Sequence, residues 1–523
     1  MSRPAQRQPE PGTTAGFAAP NAGLTAPNAG PAAPNADLTA PNQGLTAPNA
    51  GLAEHDADLT APIAGLAEHD VIGIGVGPFN LGLAALTEPI AELDAVFFDS
   101  RPGFDWHPGM MLETAHLQVP FMADLVSLAD PTSRYSFLNF LKSTGRLYRF
   151  YIREDFYPLR AEFNAYCRWV AKQLPSVRFG HEVTDVRYEK TAQDGGRYLV
   201  STRHDGGTQV HAARRLVLGT GTQPEIPPSC AEILTGPGAR TAAHNSDYLD
   251  SKANLQAQRS ITVVGSGQSA AEVFLDLLQD CGPDSYELNW VTRSGRFFPL
   301  EYTKLTLEMT SPDYVDYFHA LPGGTRDRLI GSQKNLYKGI DAALINDIYD
   351  ALYARSLSGP LPVRLLTGVE VTGSSYDRGT GQHRLELHHP EQGTSGGLAT
   401  GAVVLATGYS YREPAFLRGI SNRIRRDSRG RLDVDRNYGI GVETAEIFVQ
   451  NAELHTHGFT SPDLGMAAYR NSTILREILG WEYYPVETST TFQEFGLAGL
   501  GQPSHAPSNT RTGSAAKAEG AVA

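Results

Sequence analysis

The sequence predicts an α/β protein with two nucleotide-binding β-α-β units, a small, largely helical region, and a disordered tail at each end. Three observations carry this reading: a strand, glycine turn and helix at residues 70–86, a second run of the same form at residues 260–272, and a change of composition at both termini. Both runs have the pattern of a Rossmann-like dinucleotide-binding domain. The expected organisation is a low-complexity head over 1–69, a first nucleotide domain over 70–250, and a second over 258–400 with a helical insertion at about 297–358. The chain then returns to the first domain over 402–495 and ends in a tail over 497–523.

The head holds 18 alanines, 10 prolines and 7 glycines in its 69 residues and one aromatic, Phe17, too little apolar surface to offset the entropy of ordering it. Pro20, Pro27, Pro34, Pro41 and Pro48 recur every seven residues, and a proline in each heptad excludes a coiled coil. Gly51-Leu52-Ala53-Glu54-His55-Asp56 returns as Gly65-Leu66-Ala67-Glu68-His69-Asp70, so the repeat runs up to the first strand. The head has no basic start followed by an apolar core, so it does not read as a signal peptide. After Leu497 the chain is again rich in Gly, Ser and Ala.

In the first unit, Asp70-Val71-Ile72-Gly73-Ile74 is the strand and Gly75-Val76-Gly77-Pro78-Phe79-Asn80 the turn into a helix. Gly75 permits the tight turn, and Gly77 lets backbone approach a pyrophosphate held by the N–H groups of the helix start. Asn80 stands where a third glycine is usual. Ala95-Val96-Phe97-Phe98-Asp99 follows as a strand ending in an acid, placed to hold a ribose hydroxyl.

The second unit is Ser260-Ile261-Thr262-Val263-Val264-Gly265-Ser266-Gly267-Gln268-Ser269-Ala270. Its next strand, Glu287–Val291, runs into Thr292-Arg293-Ser294 and has no acid at its end. An arginine and a serine suit the extra phosphate of NADP, which favours NADPH over NADH; the alternative is a solvated charge at a strand end. Leu216–Gly221 and Val403–Tyr409 are two more apolar runs, each ending in Thr-Gly, at Thr220-Gly221 and Thr407-Gly408. Both read as strands of the first sheet, interrupted by the inserted domain. An acid-ended first unit and a basic-ended second suggest FAD reduced by NADPH.

Composition excludes other classes. Lys and Arg number 44 against 57 Asp and Glu, a net charge of −13, so there is no basic excess for nucleic acid or an anionic membrane. No run of 18 or more apolar residues occurs. Cys167, Cys230 and Cys281 are far apart, without CxxC spacing, which fits a reducing cytoplasm and neither a disulfide framework nor a zinc ribbon.

Further phrases join these motifs: Trp106-His107-Pro108-Gly109-Met110, Asp124-Leu125-Val126 with Asp130-Pro131-Thr132-Ser133, Tyr135–Leu141, Leu405–Tyr409 and Asn451–Gly458. Together they resemble the microbial flavin-dependent N-hydroxylating monooxygenases of siderophore biosynthesis, a family of lysine, ornithine and diamine hydroxylases. The resemblance covers nearly all of residues 70–495. It implies hydride transfer from NADPH to FAD, uptake of oxygen as a C4a-hydroperoxide, and attack on that oxygen by a neutral primary amine. It also implies a homo-oligomer, a tetramer in much of the family, and no metal. The protein must let the amine lose a proton, although free alkylamines have a pKa of about 10.4, and must keep water away.

Carried over residue by residue, the resemblance makes Gln118 the amide beside the flavin and its oxygen, and Asn335 the residue touching both substrate and nicotinamide. Leu464 and Gly465 fall where the family lays backbone over the flavin, although Gly465 departs from the serine of ornithine enzymes. Trp106 and His107 are expected along the flavin, with plain core packing as the alternative. His455 and His457 are not expected to hold a metal, since no carboxylate or cysteine is spaced with them.

Ornithine enzymes of the family carry a lysine five residues after the glutamine, paired with the substrate carboxylate. Here that residue is Ala123. An unpaired buried carboxylate costs several kcal/mol, so the loss argues against an α-amino acid bound in that pose, and a diamine has no carboxylate to satisfy. Glu301 is the expected anchor for a diamine's far ammonium; the alternative is a helical pair with Lys304. Gly145-Arg146-Leu147-Tyr148 and Phe156–Arg160 also resemble the putrescine and cadaverine hydroxylases most closely. The expected activity is therefore N-hydroxylation of a terminal amine of putrescine or cadaverine in hydroxamate siderophore biosynthesis. L-Lysine N6-hydroxylation is the alternative, with L-ornithine N5-hydroxylation behind it. A flavin reductase, an NADPH oxidase or a non-catalytic flavin-binding protein would share both folds.

Overall fold

Val71-Ile72-Gly73-Ile74 is buried along its whole length, as a strand inside a parallel sheet covered on both faces must be. It lies within the first of two main sheets in a computed structural model that describes residues 66–190 and 196–497. The first sheet runs in the order Val177–Phe179, Ala95–Asp99, Ala67–Ile74, Gly207–Leu218, Arg197–His204, Glu182–Glu189. The first four strands are parallel and the last two add as antiparallel neighbours. The 12-residue strand Gly207–Leu218 serves both halves: its start pairs with Arg197–His204, and its end takes Ile447–Val449 in parallel.

The first strand begins at Ala67, within the stretch expected to be a disordered head. Ala67, Glu68 and His69 pair with His211, Ala212 and Ala213, and His69 Nδ1 lies 2.9 Å from Asp94 Oδ2. The reading stopped at Asp70 because Ala-Glu-His-Asp carries no apolar alternation; backbone pairing, which needs none, extends the strand. The rest of the expected head, and the tail beyond Leu497, lie outside the described residues.

The second sheet has five strands, all parallel: Val363–Leu366, Glu287–Val291, Ser260–Val264, Ala402–Leu405 and Ala242–His244. Ser260–Val264 is buried at every position. The expectation that Val403–Leu405 rejoins the first sheet is overturned, since this strand pairs with Ser260–Val264 on one side and Ala242–His244 on the other. The return to the first sheet is made later, by Ile447–Val449. Between Glu287–Val291 and Val363–Leu366 the chain forms the helices Lys304–Leu307, Pro312–Ala320, Gly323–Ser332 and Ala342–Ser356, so the expected insertion is helical. Glu370–Asp377, Gln382–His389 and Thr394–Thr400 form a separate antiparallel meander. Among the described residues no helix is long and apolar enough to cross a membrane.

Candidate active site

Each glycine turn is shaped by a neighbouring strand's carbonyl. Gly75 has φ +86°, and a Cβ there would come within 2.5 Å of the Gly219 oxygen. Gly265 has φ +150°, and a Cβ there would come within 2.2 Å of the Ala406 oxygen. Only glycine accepts such backbone together with such an approach. Gly219 and Ala406, each just before a Thr-Gly pair, therefore play matching parts, one against each turn. The shared apolar-run-plus-Thr-Gly signature says nothing about which sheet a strand joins.

The next glycines open onto space. A Cβ on Gly77 would meet nothing within 4 Å, and one on Gly267 only the Lys338 carbonyl at 3.6 Å. Each precedes a helix, Pro78–Thr87 or Gln268–Asp280, and is its extended N-cap without a side-chain cap. Pro78 is the first residue of its helix, where it forfeits no intrahelical bond. Two uncapped helix N-termini facing open cradles fit the pyrophosphates of FAD and NADPH.

Asn80 and Asp99 lie at the first turn but work inward. The Asn80 amide donates to the Gly75 carbonyl at 2.8 Å and accepts from Gln450 Nε2 at 2.6 Å, with the residue fully buried. Asp99 Oδ2 accepts from Val76 N–H at 2.7 Å and from Arg101 at 2.9 Å, and Oδ1 accepts from Arg101 N–H and Nε. The acid stands at the strand end, as expected, and braces the turn.

At the second turn, the Gln268 amide donates to Glu272 Oε1 at 2.9 Å and accepts from Asp341 N–H at 2.8 Å. Ser269 lies in the first helical turn. Arg293 is exposed and makes no hydrogen bond or ion pair among the described residues. The Ser294 hydroxyl donates to the Arg296 carbonyl at 2.8 Å. Desolvation, together with the neighbouring Lys334 and Arg293 cations, holds the Lys338 ammonium below the usual lysine range. Glu225 acts against them more weakly, and a cluster in which cations outnumber acids suits a phosphate. Lys334 and Lys338 escaped the sequence reading because they arrive from the helical insertion, more than 40 residues after the strand end.

The Trp106–Met110 loop joins the two halves. Trp106 packs against Phe163 and the first core, whereas Met110 belongs to the core of the second sheet. His107 lies 4.9 Å from Trp106 and 6.0 Å from Tyr409, which follows Thr407-Gly408. Arg160 bridges the same seam, donating to the Met110 carbonyl and gripping Glu272 with two bonds of 2.9 and 2.7 Å.

The insertion meets the later part of the chain where Tyr302 comes near Asp463. Glu301 accepts from the Asn335 amide and donates its N–H to the Asn335 carbonyl at 3.2 Å. It precedes the helix Lys304–Leu307 and forms no pair with Lys304 among the described residues. Ala123 Cβ lies 3.8 Å from where a Cβ on Gly465 would sit, and that Cβ would come within 2.9 Å of Asp463 Oδ1. Asp463 Oδ1 accepts from Gly465 N–H at 2.6 Å. Desolvation pushes the Asp463 carboxyl above the usual carboxylate range, against the bond from Gly465. Tyr302 stands close by: its hydroxyl is pushed up by desolvation first and then by the charges of Asp463 and Asp341. Gln118 Nε2 is buried with no hydrogen-bond partner among the described residues, a donor awaiting an acceptor.

The sequence model of the family described as "L-lysine 6-monooxygenase/L-ornithine 5-monooxygenase" matches residues 67–411. The chain belongs to this family. It is 52% identical to a putrescine N-hydroxylase of Shewanella oneidensis, over 85% of this chain and 88% of the relative. Among solved structures, an FAD-bound cadaverine monooxygenase of the desferrioxamine pathway of Erwinia amylovora is 54% identical. It superposes with a TM-score of 0.79 over 82% of this chain and 99% of that one. An ornithine N-hydroxylase of Kutzneria with reduced FAD, NADP+ and L-ornithine is 30% identical, with a TM-score of 0.72 over 79% and 99%.

As a lysine/ornithine monooxygenase family member the chain is an enzyme, and its two departures from the ornithine pattern are neighbours in space. Glycine at 465 leaves room beside Asp463 Oδ1, and the Ala123 Cβ stands 3.8 Å from that same point. Sequence reading stopped at Leu464-Gly465, one residue short; the signal was an acid two residues before a position without a side chain. His455 and His457 serve the scaffold, bonding the Leu432 and Arg436 carbonyls. Among the described residues no group of three His, Cys, Asp or Glu is placed to hold a metal.

Proposed function

We propose that this monooxygenase uses FAD and NADPH to N-hydroxylate one terminal amine of a short linear diamine, putrescine or cadaverine, and so supplies a precursor of a hydroxamate siderophore. The observation that carries the substrate is Asp463: a carboxylate occupies the corner where ornithine enzymes place a lysine and a serine. The reversal of charge exchanges a receptor for a carboxylate for a receptor for an ammonium. Glu301, held by Asn335 and adjacent in sequence to Tyr302, which lies near Asp463, adds a second acid. The putrescine and cadaverine named for two relatives above half identity are diamines of this kind.

Bound FAD and NADPH supply the reducing equivalents and the activated oxygen. The Gly77 and Gly267 cradles orient the two cofactors, and Arg293, Lys334 and Lys338 receive the NADPH phosphate. Asp463 holds the far ammonium, so the near amine points inward to be deprotonated. The unpartnered Gln118 amide donates to the flavin or its oxygen. Three buried free thiols suit a reducing, cytoplasmic setting.

The test is hydroxylamine formation by purified enzyme with NADPH, oxygen and a panel of putrescine, cadaverine, lysine and ornithine. Turnover of the diamines is expected, with Asp463→Asn raising their KM by about tenfold or more, the scale of one charge-assisted contact. Turnover of lysine alone would overturn the assignment.

A further inference from the structure

After the helix Ala467–Leu479 the chain runs back over the helical insertion. Thr490 N–H, Thr490 Oγ1 and Thr491 Oγ1 all donate to Asp313 Oδ2, at 2.9, 2.7 and 3.1 Å. Phe492 and Gln493 N–H donate to the two oxygens of Glu308, both at 3.0 Å. The Gln493 amide donates to Glu308 Oε2 at 2.9 Å and also to the Leu305 carbonyl. Phe495 sets its ring edge-on to Tyr314, 5.1 Å between centroids. It thereby joins a small core of Tyr314, Phe318 and Phe459, against which Leu336 and Tyr337 also pack, directly after Asn335.

These contacts hold a piece of chain that little else holds. The helix Lys304–Leu307 buries no side chain, and Leu305 is 64% exposed. Residues 301–305 are exposed throughout. A segment with few buried apolar contacts opens at small free-energy cost unless something fixes it. Its first two residues are Glu301, bonded to Asn335, and Tyr302, near Asp463, and its last, Glu308, takes three hydrogen bonds from Phe492 and Gln493.

We propose that Thr490–Phe495 is a strap that positions the amine pocket, fixing Glu301–Glu308 through Glu308 and the Asn335 turn through Phe495. This rests on the pocket being the amine site. Gln493 and Phe495 are positioning residues, acting through Glu301, Tyr302 and Asn335. With the strap docked, amine, oxygen, NADPH and a proton give hydroxylamine, NADP+ and water. With the segment loose, the amine is poorly held and water enters. NADPH, a proton and oxygen then give NADP+ and hydrogen peroxide.

The experiment compares Gln493→Ala and Phe495→Ala with the full chain and with a chain ending at Leu497, which keeps the strap. In the two variants the KM for putrescine and cadaverine rises about tenfold and more NADPH is lost to peroxide, while anaerobic bleaching of the flavin by NADPH keeps its rate. The chain ending at Leu497 behaves as the full chain does. Amide hydrogen exchange across residues 301–309 quickens in the variants, a readout that needs no substrate. Unchanged exchange overturns the strap. Faster exchange with unchanged KM and coupling also overturns the proposal, and then counts against the amine site at Glu301–Asn335, not against the contacts themselves.

Discussion

Asp463 shows how much one side chain decides. A Cβ at position 465 would press to 2.9 Å from its Oδ1, so a serine there would make the carboxylate shift from this pose. Glycine at 465 and alanine at 123 were legible as departures, but what they made room for was not, because a lone acid beside a turn is ordinary in sequence. Asn80 and Asp99 were legible by place, and the structure adds that both brace the turn with bonds into the protein. The raised Asp463 carboxyl has a consequence for pH. Its proton is retained above the usual carboxylate range in the free enzyme, and only the ionised form attracts an ammonium. Diamine binding therefore weakens as pH falls through that raised value, and the acid side of the kcat/KM profile carries this loss. In Asp463→Asn that limb should disappear, leaving the rise toward alkaline pH set by the substrate's own amine; a profile with the acid limb intact would assign it to another group.

Among elements, the two glycine units and the helical insertion were readable because local chemistry dictates them: buried β-branched runs, glycines at positive φ, and helix starts free of caps. Strand partnership was not readable, as Ala402–Leu405 shows, because an apolar run ending in Thr-Gly fits beside either turn. The contacts between elements were equally hidden. Arg160, on the helix Arg160–Ala171 of the first domain, meets Glu272 on the helix Gln268–Asp280 of the second, 112 residues later, with side-chain exposures of 12% and 4%. Breaking a buried pair from one side leaves the other charge without a partner, at a cost of about 3 kcal/mol or more. Glu272→Gln is expected to destabilise the protein by that order in chemical denaturation. It should also slow anaerobic flavin bleaching by NADPH, since Glu272 supports Gln268 and ties the two cofactor halves together. A slower reduction with diamine KM unchanged would separate this seam from the amine pocket.

At the scale of the molecule, the first strand shows where the described fold begins. Ala67–His69 pairs with His211–Ala213, so the last residues of the repeated head are part of the first sheet. Deletion of residues 1–65 leaves every described strand whole and is expected to keep kcat/KM within about twofold. Deletion of residues 1–70 strips half a strand from the interior of the first sheet, exposes the His211 edge and should lower the melting temperature clearly. The duplicated Gly-Leu-Ala-Glu-His-Asp then offers its own control. Removing residues 57–70 joins Asp56 to Val71, which restores the same six residues ahead of Val71 as in the natural chain. Strand pairing depends on those residues and not on their origin, so this internal deletion should melt with the intact protein. A melting temperature as low as that of the 1–70 deletion would mean that the linker between the two copies stabilises the fold in its own right.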